Sequence, residues 1–329
     1  MEPKLQQAAI GVDLGGSHAR AAVVTVAGRI LTQARARVAD DRRPEAVVAR
    51  IVEVVQDALA QAGLGLEEIH GLGVGVAGQV RGASGVVANG PNLGWREVPL
   101  ADLLEQALGT RPRVANDLDA IAWGEVRHGA ALGHKEVLVV YAGTGVGGAF
   151  VIAGQAHHGA TGVAGEIGHV KVRGPDGAAC GCGGRGCLEA YLGGKNLSER
   201  LRREAIAWPD LMEAAGGQLD ALHPGVVESL FVRGDARALA MWRELGEMFG
   251  DVLAHAVTLF NPSLLVLGGT VAEGCPELMR LARERLGQRA SSVSLEALSV
   301  VAAQLGDDAG VVGAASLGRM VFESKDGGS

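Results

Sequence analysis

Residues 11–28 read GVDLGGSHARAAVVTVAG, and residues 139–154 read VVYAGTGVGGAFVIAG. Both stretches follow one plan: an apolar strand, a glycine turn, a second strand and another glycine turn. The spacing predicts strands at Ala8–Leu14 and Arg20–Val26 around a tight turn at Gly15-Gly16. It predicts a second pair at Val137–Ala142 and Gly148–Ile152 around Gly143-Thr144-Gly145. The two copies lie roughly 130 residues apart, far beyond a solenoid period. They are the mark of two similar α/β domains facing each other.

Working outward, Ile30–Val38 reads as a third strand, and Pro44 opens a helix to about Ala62. Its apolar residues Val47, Val48, Ile51, Val54, Val55 and Leu59 fall at helical spacing. Ile69–Val76 is a nearly continuous apolar strand ending at Ala77-Gly78. Arg113–Ala115 is a fifth strand, followed by Asn116-Asp117 and a helix. Leu197–Phe260 is largely helical, with a strong amphipathic helix at Met241–Leu259 ended by Asn261-Pro262. Strand Leu264–Leu267 leads into a third glycine turn at Gly268-Gly269, and Ala309–Val321 forms a last helix.

The chain has 329 residues, 48% of them hydrophobic but only 3% aromatic, and carries 51 glycines. That glycine content is about twice ordinary usage, and the residues cluster at turns, where backbone can approach a ligand closely. A net charge of −7 without a Lys/Arg-rich run disfavours nucleic acid as a partner. The uncharged stretch 137–165 is broken by glycines and alternates like a hairpin, so no membrane span is expected. Asp13 interrupts the only apolar run near the start, which disfavours a secretory signal. Three of the four cysteines fall within eight residues and Cys275 is remote. A disulfide scaffold would not look like this, and a reducing cytoplasmic location is expected.

Phosphate chains bind where consecutive backbone N–H groups converge. Asp13 through Ser17 and Gly143 through Gly145 offer such donors, with hydroxyls from Ser17 and Thr144. Asp13, at a strand end, could hold Mg²⁺ through water. Any one of these turns alone is an ordinary hairpin closure. Two in equivalent halves, plus Gly268-Gly269, favour a nucleotide clamp. The pattern is neither a Walker loop nor a dinucleotide fingerprint, because the first turn leads into a strand.

The segments DLGGSHAR, GVGVAGQV, NLGW, AND, AGTGVGG, GEIGH, CGCGGRGCLE, NPSLLVLGGTV and GDDAGVVGAA occur in the order seen in the ROK family (repressors, open reading frames, kinases). The chain resembles that family over nearly its whole length. The resemblance implies an actin-like, ribonuclease H-like α/β fold of two domains with duplicated mixed sheets and an interdomain cleft for ATP and sugar. The expected domains are residues 1–118 with 306–329, and residues 119–305. Ser17 stands where the family usually has Thr, and Thr270 where it usually has a third Gly. His18 replaces a usual Lys or Asn and is given no role. Gly165, where fructose-phosphorylating members usually carry Pro, points to the glucose-phosphorylating branch.

By that resemblance Asp117 is the catalytic base. ATP is expected at Asp13, Gly15, Gly16, Ser17, Gly143, Thr144, Gly145, Gly268 and Gly269. The sugar is expected at Gly78, Asn116, Asp117, Glu166, His169 and Glu189, with Gln79 and Asn92 as lesser candidates. Cys180, Cys182 and Cys187 supply three soft ligands for zinc, and His169 takes the fourth place. Zinc would then fix the ring whose other nitrogen meets a sugar hydroxyl. Read alone, Asp117 is a helix N-cap; with Asp117 assigned to catalysis, the cap passes to Asp119. The expected reaction is ATP-dependent, Mg²⁺-assisted phosphorylation of a hexose 6-hydroxyl. Glucose is the first choice, with mannose or an N-acetylhexosamine next. A non-catalytic sugar sensor and a polyphosphate-using kinase are the rivals, the latter generally without the cysteine cluster. A DNA-binding repressor is not expected, since the first phosphate turn begins at Asp13 and leaves no room ahead of it for a helix-turn-helix. Relatives are commonly dimers or tetramers, so a homodimer or homotetramer is expected.

Overall fold

A computed structural model of the chain describes residues 7–38 and 40–326. Its first strands are β1 (Ala9–Leu14), β2 (His18–Val24), β3 (Ile30–Arg37) and β4 (Leu72–Val76). Three short strands follow, β5 (Gln79–Arg81), β6 (Val86–Gly90) and β7 (Trp95–Val98), then β8 (Arg113–Asn116). The first sheet has the order β3-β2-β1-β4-β8. Its β1, β2 and β3 are antiparallel, whereas β1, β4 and β8 run parallel. Strands β5 to β7 make a separate antiparallel sheet that the sequence pattern did not announce.

Helix Pro44–Ala62 spans the predicted residues. Proline at its first turn lacks only an N–H that would be unpaired anyway, and Gly63 at φ 66° closes it in the left-handed region. Its apolar stripe packs with helix Leu100–Leu108 on the sheet, in a core that contains Ile51, Leu72 and Leu104. Helix Ala309–Asp326 packs against β1, β4 and helix Asp117–His128. Small residues set that approach. A Cβ at Gly11 or Gly73 would overlap the carbonyl of Val311 or Ala314, and one at Gly313 would overlap the carbonyl of Ala120. Part of the glycine excess therefore serves helix–sheet packing.

The later strands are β9 (Val137–Ala142), β10 (Val146–Ile152), β11 (Gln155–His157), β12 (Leu264–Gly268) and β13 (Ser299–Ala302). Their sheet has the order β11-β10-β9-β12-β13, with β9, β12 and β13 parallel. Helix Ala236–Phe260 buries Trp242 and Phe249 completely and lies along helix Pro276–Arg289. The chain groups into two compact units. One comprises residues 1–134, 149–164 and 304–329; the other comprises 135–148 and 165–303. Among the described residues no helix is long and apolar enough to cross a membrane.

Candidate active site

In the first unit, the parallel strands bring three predicted segments to one edge. Leu14 pairs with Val76 and Val76 with Asn116, so Asp13, Gly78 and Asn116-Asp117 sit at the carboxyl ends of β1, β4 and β8. The crevice at such ends is where open α/β sheets bind ligands. The β1–β2 turn carries Gly15, Gly16 and Ser17, closed by the Gly15 N–H donating to the His18 carbonyl at 3.0 Å. A Cβ on Gly16 would come 3.0 Å from Cβ of Asn92, which places Asn92 beside the turn. Gln79 begins β5, just past Gly78.

Asp13 is held from across the hairpin. Arg20, its register partner on β2, donates from Nη2 to Oδ2 at 2.8 Å and from Nε at 3.3 Å. The same Nη2 donates to the carbonyl of Asp307 at 2.6 Å. Asn116 is committed to the backbone on both sides. Its Nδ2 donates to the Gly78 carbonyl at 2.8 Å, and its Oδ1 accepts from Leu118 N–H at 2.8 Å. Asn116 is thus the helix cap, and the expectation that Asp119 fills that role is corrected. Asp119 instead lies within the first turn, buried, facing Nδ1 of His158 at 3.0 Å.

Asp117 is the first residue of that helix and is partly buried. Loss of water around its carboxyl, and next the nearby Asp13 carboxylate, push its pKa from 3.8 up to about 7. The N–H of Leu118, at 3.0 Å from Oδ1, opposes the shift.

In the second unit, β9 and β12 run parallel with Tyr141 opposite Gly268, so two more glycine turns share an edge. Gly143 N–H donates to the Gly145 carbonyl at 2.9 Å, while Gly143 and Thr144 carbonyls accept from Gly194 and Lys195. Gly269, at φ 93°, lies so close to Ala142 that a Cβ would be 2.6 Å from its carbonyl oxygen. Thr270 opens the short helix after it. Gly143, Thr144, Gly145, Gly268 and Gly269 are therefore neighbours.

The same unit gathers the cysteine cluster. His169, Cys180, Cys182 and Cys187 have ligand atoms all within 4.8 Å of one another. Sγ of Cys180 is 3.7 Å from Nδ1 of His169, and Sγ of Cys182 is 3.7 Å from that of Cys187. A tetrahedron with metal–sulfur bonds of about 2.3 Å has edges of about 3.8 Å, so the donor set fits zinc in both chemistry and size. Nε2 of His169 points the other way, 3.5 Å from Oε2 of Glu166. Glu189 accepts from Val146 N–H at 3.0 Å and lies 3.8 Å from Sγ of Cys180, which ties the β9–β10 turn to the cluster. Lys171 donates to Sγ of Cys187 at 2.8 Å.

Sequence reasoning missed Arg20, His158, Glu125 and Lys171. Arg20 was readable, since an Asp–Arg pair stands directly opposite in a hairpin whose turn is known. Glu125, fully buried, accepts backbone N–H groups from Ala130, Gln304 and Leu305 at 2.7–3.2 Å. No local pattern foretells that bond across some 180 residues.

The chain is similar to known proteins over nearly its whole length. The profile of the ROK family matches residues 9–320. A glucokinase of Streptomyces coelicolor is 36% identical over 94% of this chain and 97% of its own length. The crystal structure of a ROK family glucokinase from Streptomyces griseus, in complex with glucose and AMPPNP, superposes with a TM-score of 0.81. It shares 36% identity and covers 95% of this chain and 99% of its own. The xylose repressor of Caldicellulosiruptor bescii is 25% identical, over 92% of this chain and 76% of the repressor. The actin-like two-domain fold expected from the sequence is the fold of these neighbours.

Proposed function

This chain belongs to the ROK family, and from that premise we propose that it is a glucokinase, transferring the γ-phosphoryl group of ATP to the 6-hydroxyl of glucose. The observation that carries the reading is Asp117. It stands at the carboxyl edge of three parallel strands, in one unit with the Gly15-Gly16-Ser17 turn, and burial holds its carboxyl near the pH at which a base must work. Overall identity of 36% to a glucokinase, against 25% to a repressor, supports catalysis over sugar sensing alone.

In the proposed reaction the sugar 6-oxygen attacks the γ-phosphorus, the bond to the ADP oxygen breaks, and the hydroxyl proton passes to Asp117. The turns at residues 15–17, 143–145 and 268–269 receive the phosphates and nucleotide, with the Gly15 and Gly143 N–H groups spent on closing their own turns and the other backbone N–H groups left to donate. Magnesium, when bound, neutralises charge on the phosphate oxygens. Asp13, fixed by Arg20 through Oδ2, would hold it through water. Gly78, Asn116, Glu166, His169 and Glu189 position the sugar, with Asn116 acting largely by fixing the Gly78 backbone. Zinc held by His169, Cys180, Cys182 and Cys187 would leave no open coordination position, so its part is to orient the ring of His169. The reading keeps a cytoplasmic location and a homodimer or homotetramer.

A coupled ADP-release assay over a hexose panel, with and without a zinc chelator, tests the proposal. Glucose should give the highest kcat/KM, with mannose and N-acetylhexosamines at least about tenfold lower. Absence of ADP release with every hexose, alongside normal sugar binding, would turn the reading to a sensor.

A further inference from the structure

Beyond the residues proposed to hold substrate, one histidine–carboxylate pair stands near the proposed base without a role. His158 follows β11 and opens the segment that runs to Ala164, whose N–H donates back to the His158 carbonyl at 3.2 Å. Within this segment Gly162 lies against the Val80 carbonyl. Glu166 comes two residues after Ala164. The His158 ring reaches the catalytic helix, where Nδ1 meets Oδ2 of Asp119 at 3.0 Å. The Asp119 side chain is only 11% exposed and that of His158 is 35% exposed. Asp119 is two residues beyond Asp117, and its charge adds to the others that oppose ionisation of the base. The other charged group acting on the imidazole is Arg113, on β8, which opposes its protonation.

We propose that His158 is a positioning residue for the kinase reaction, acting through Asp119. As an imidazolium it pins the segment leading to Glu166 onto the helix of Asp117, and it neutralises the carboxylate closest in sequence to the base. The hydrogen bond to Asp119 raises the His158 pKa against the effect of burial, in keeping with a charged ring. A glutamine at 158 would keep a hydrogen bond but lose the charge. An asparagine at 119 would remove the negative charge that the histidine balances. The two changes therefore push Asp117 in opposite directions, which a plain packing contact would not do.

The inference rests on Asp117 being the base, and the experiment separates the two. His158→Gln, Asp119→Asn and the double variant are assayed with glucose and ATP across pH 5.5–9. The acid limb of kcat/KM for glucose should move up by about half a pH unit in His158→Gln and down by about as much in Asp119→Asn. The double variant should follow Asp119→Asn. KM for glucose should rise several-fold in His158→Gln while KM for ATP stays within about twofold. Proton NMR of the histidines in the unaltered protein should show one ring titrating above the ordinary range, and Asp119→Asn should return it. Limbs that move together or not at all, in variants that fold and with Asp117→Asn inactive, overturn the role of His158. If Asp117→Asn stays active, the reading of the base has failed instead. The NMR titration and the glucose KM then still decide whether His158 clamps the segment: an ordinary titration with unchanged KM overturns it.

Discussion

The Oδ1 atom of Asn116 accepts the backbone N–H of Leu118 at 2.8 Å and that of Asp119 at 3.4 Å, so the helix that begins at Asp117 is capped by the residue before it. Asp117 is released from the structural task that a sequence reading would assign it. Its Oδ1 does share the Leu118 N–H at 3.0 Å, an acceptor that asparagine keeps. Asp117→Asn should therefore lower kcat by about 10²-fold or more and leave glucose affinity within about tenfold. Near-normal turnover in this variant would remove Asp117 from catalysis.

The same substitution should stabilise the protein. A carboxyl raised from 3.8 to about 7 holds its proton more tightly folded than unfolded. Below pH 4 it has no effect on stability, but from there to about 7 its ionisation increasingly opposes folding, and above 7 the full penalty persists. With allowance for partial exposure, this is on the order of 1–3 kcal/mol at pH 8. Thermal melts at pH 8 should show Asp117→Asn above the unaltered protein, with the gap closing by pH 4. Loss of a cap would give the reverse, about 1 kcal/mol of destabilisation, and Asn116→Ala should show that loss.

Activity should follow the base form of Asp117. Because its pKa is lifted to about 7 by burial and by Asp13, kcat/KM for glucose should fall about tenfold per pH unit below that point. Asp13→Asn removes the second cause and should shift the limb toward lower pH, besides weakening use of magnesium-bound ATP. A limb near pH 4 in the unaltered protein would show that Asp117 is not the titrating group.

The strand and helix plan was legible because each element carried its own period and punctuation. The 44–62 and 137–142 segments match the predicted limits, since Pro44, Gly63 and Gly143 mark their ends. Strand β4 starts at Leu72, not Ile69, because the chain bends at Ile69 and His70 and Gly71 takes a positive φ of 127°, although His70 and Gly71 already bond to the backbone at the start of β1. The β5–β7 sheet was not legible: its strands have three to five residues, too few to show alternation. In the site, glycine turns and cysteines announce themselves by composition. His158 and Glu125 do not, because their meaning lies in partners 39 and about 180 residues away.

Zinc and sugar should be lost together. Cys182 is exposed at the rim of the cluster, and its removal leaves three ligand atoms. Cys182→Ser should lower bound zinc measured by atomic emission and raise glucose Kd by at least about tenfold, because the ring of His169 loses its anchor on Nδ1. Since Nε2 faces Glu166, Glu166→Gln should weaken glucose while keeping zinc. Metal loss without any change in glucose affinity would reduce the cluster to a remote scaffold.

Two glycines separate packing from ligand approach. At Gly313 a Cβ would run into the Ala120 carbonyl, backbone that cannot move without parting helix 309–326 from helix 117–128. Gly313→Ala should cost more than about 2 kcal/mol or prevent folding, as overpacking against main chain does. At Gly15 the nearest atom to a Cβ is the His18 carbonyl oxygen, 3.7 Å away, an ordinary contact, and no left-handed φ is required there. Gly15→Ala should therefore melt within about 2 °C of the unaltered protein. If the β1–β2 turn receives phosphate, the added methyl should still raise KM for ATP by about tenfold, with glucose binding unchanged. An unaltered KM would move the phosphates away from Gly15.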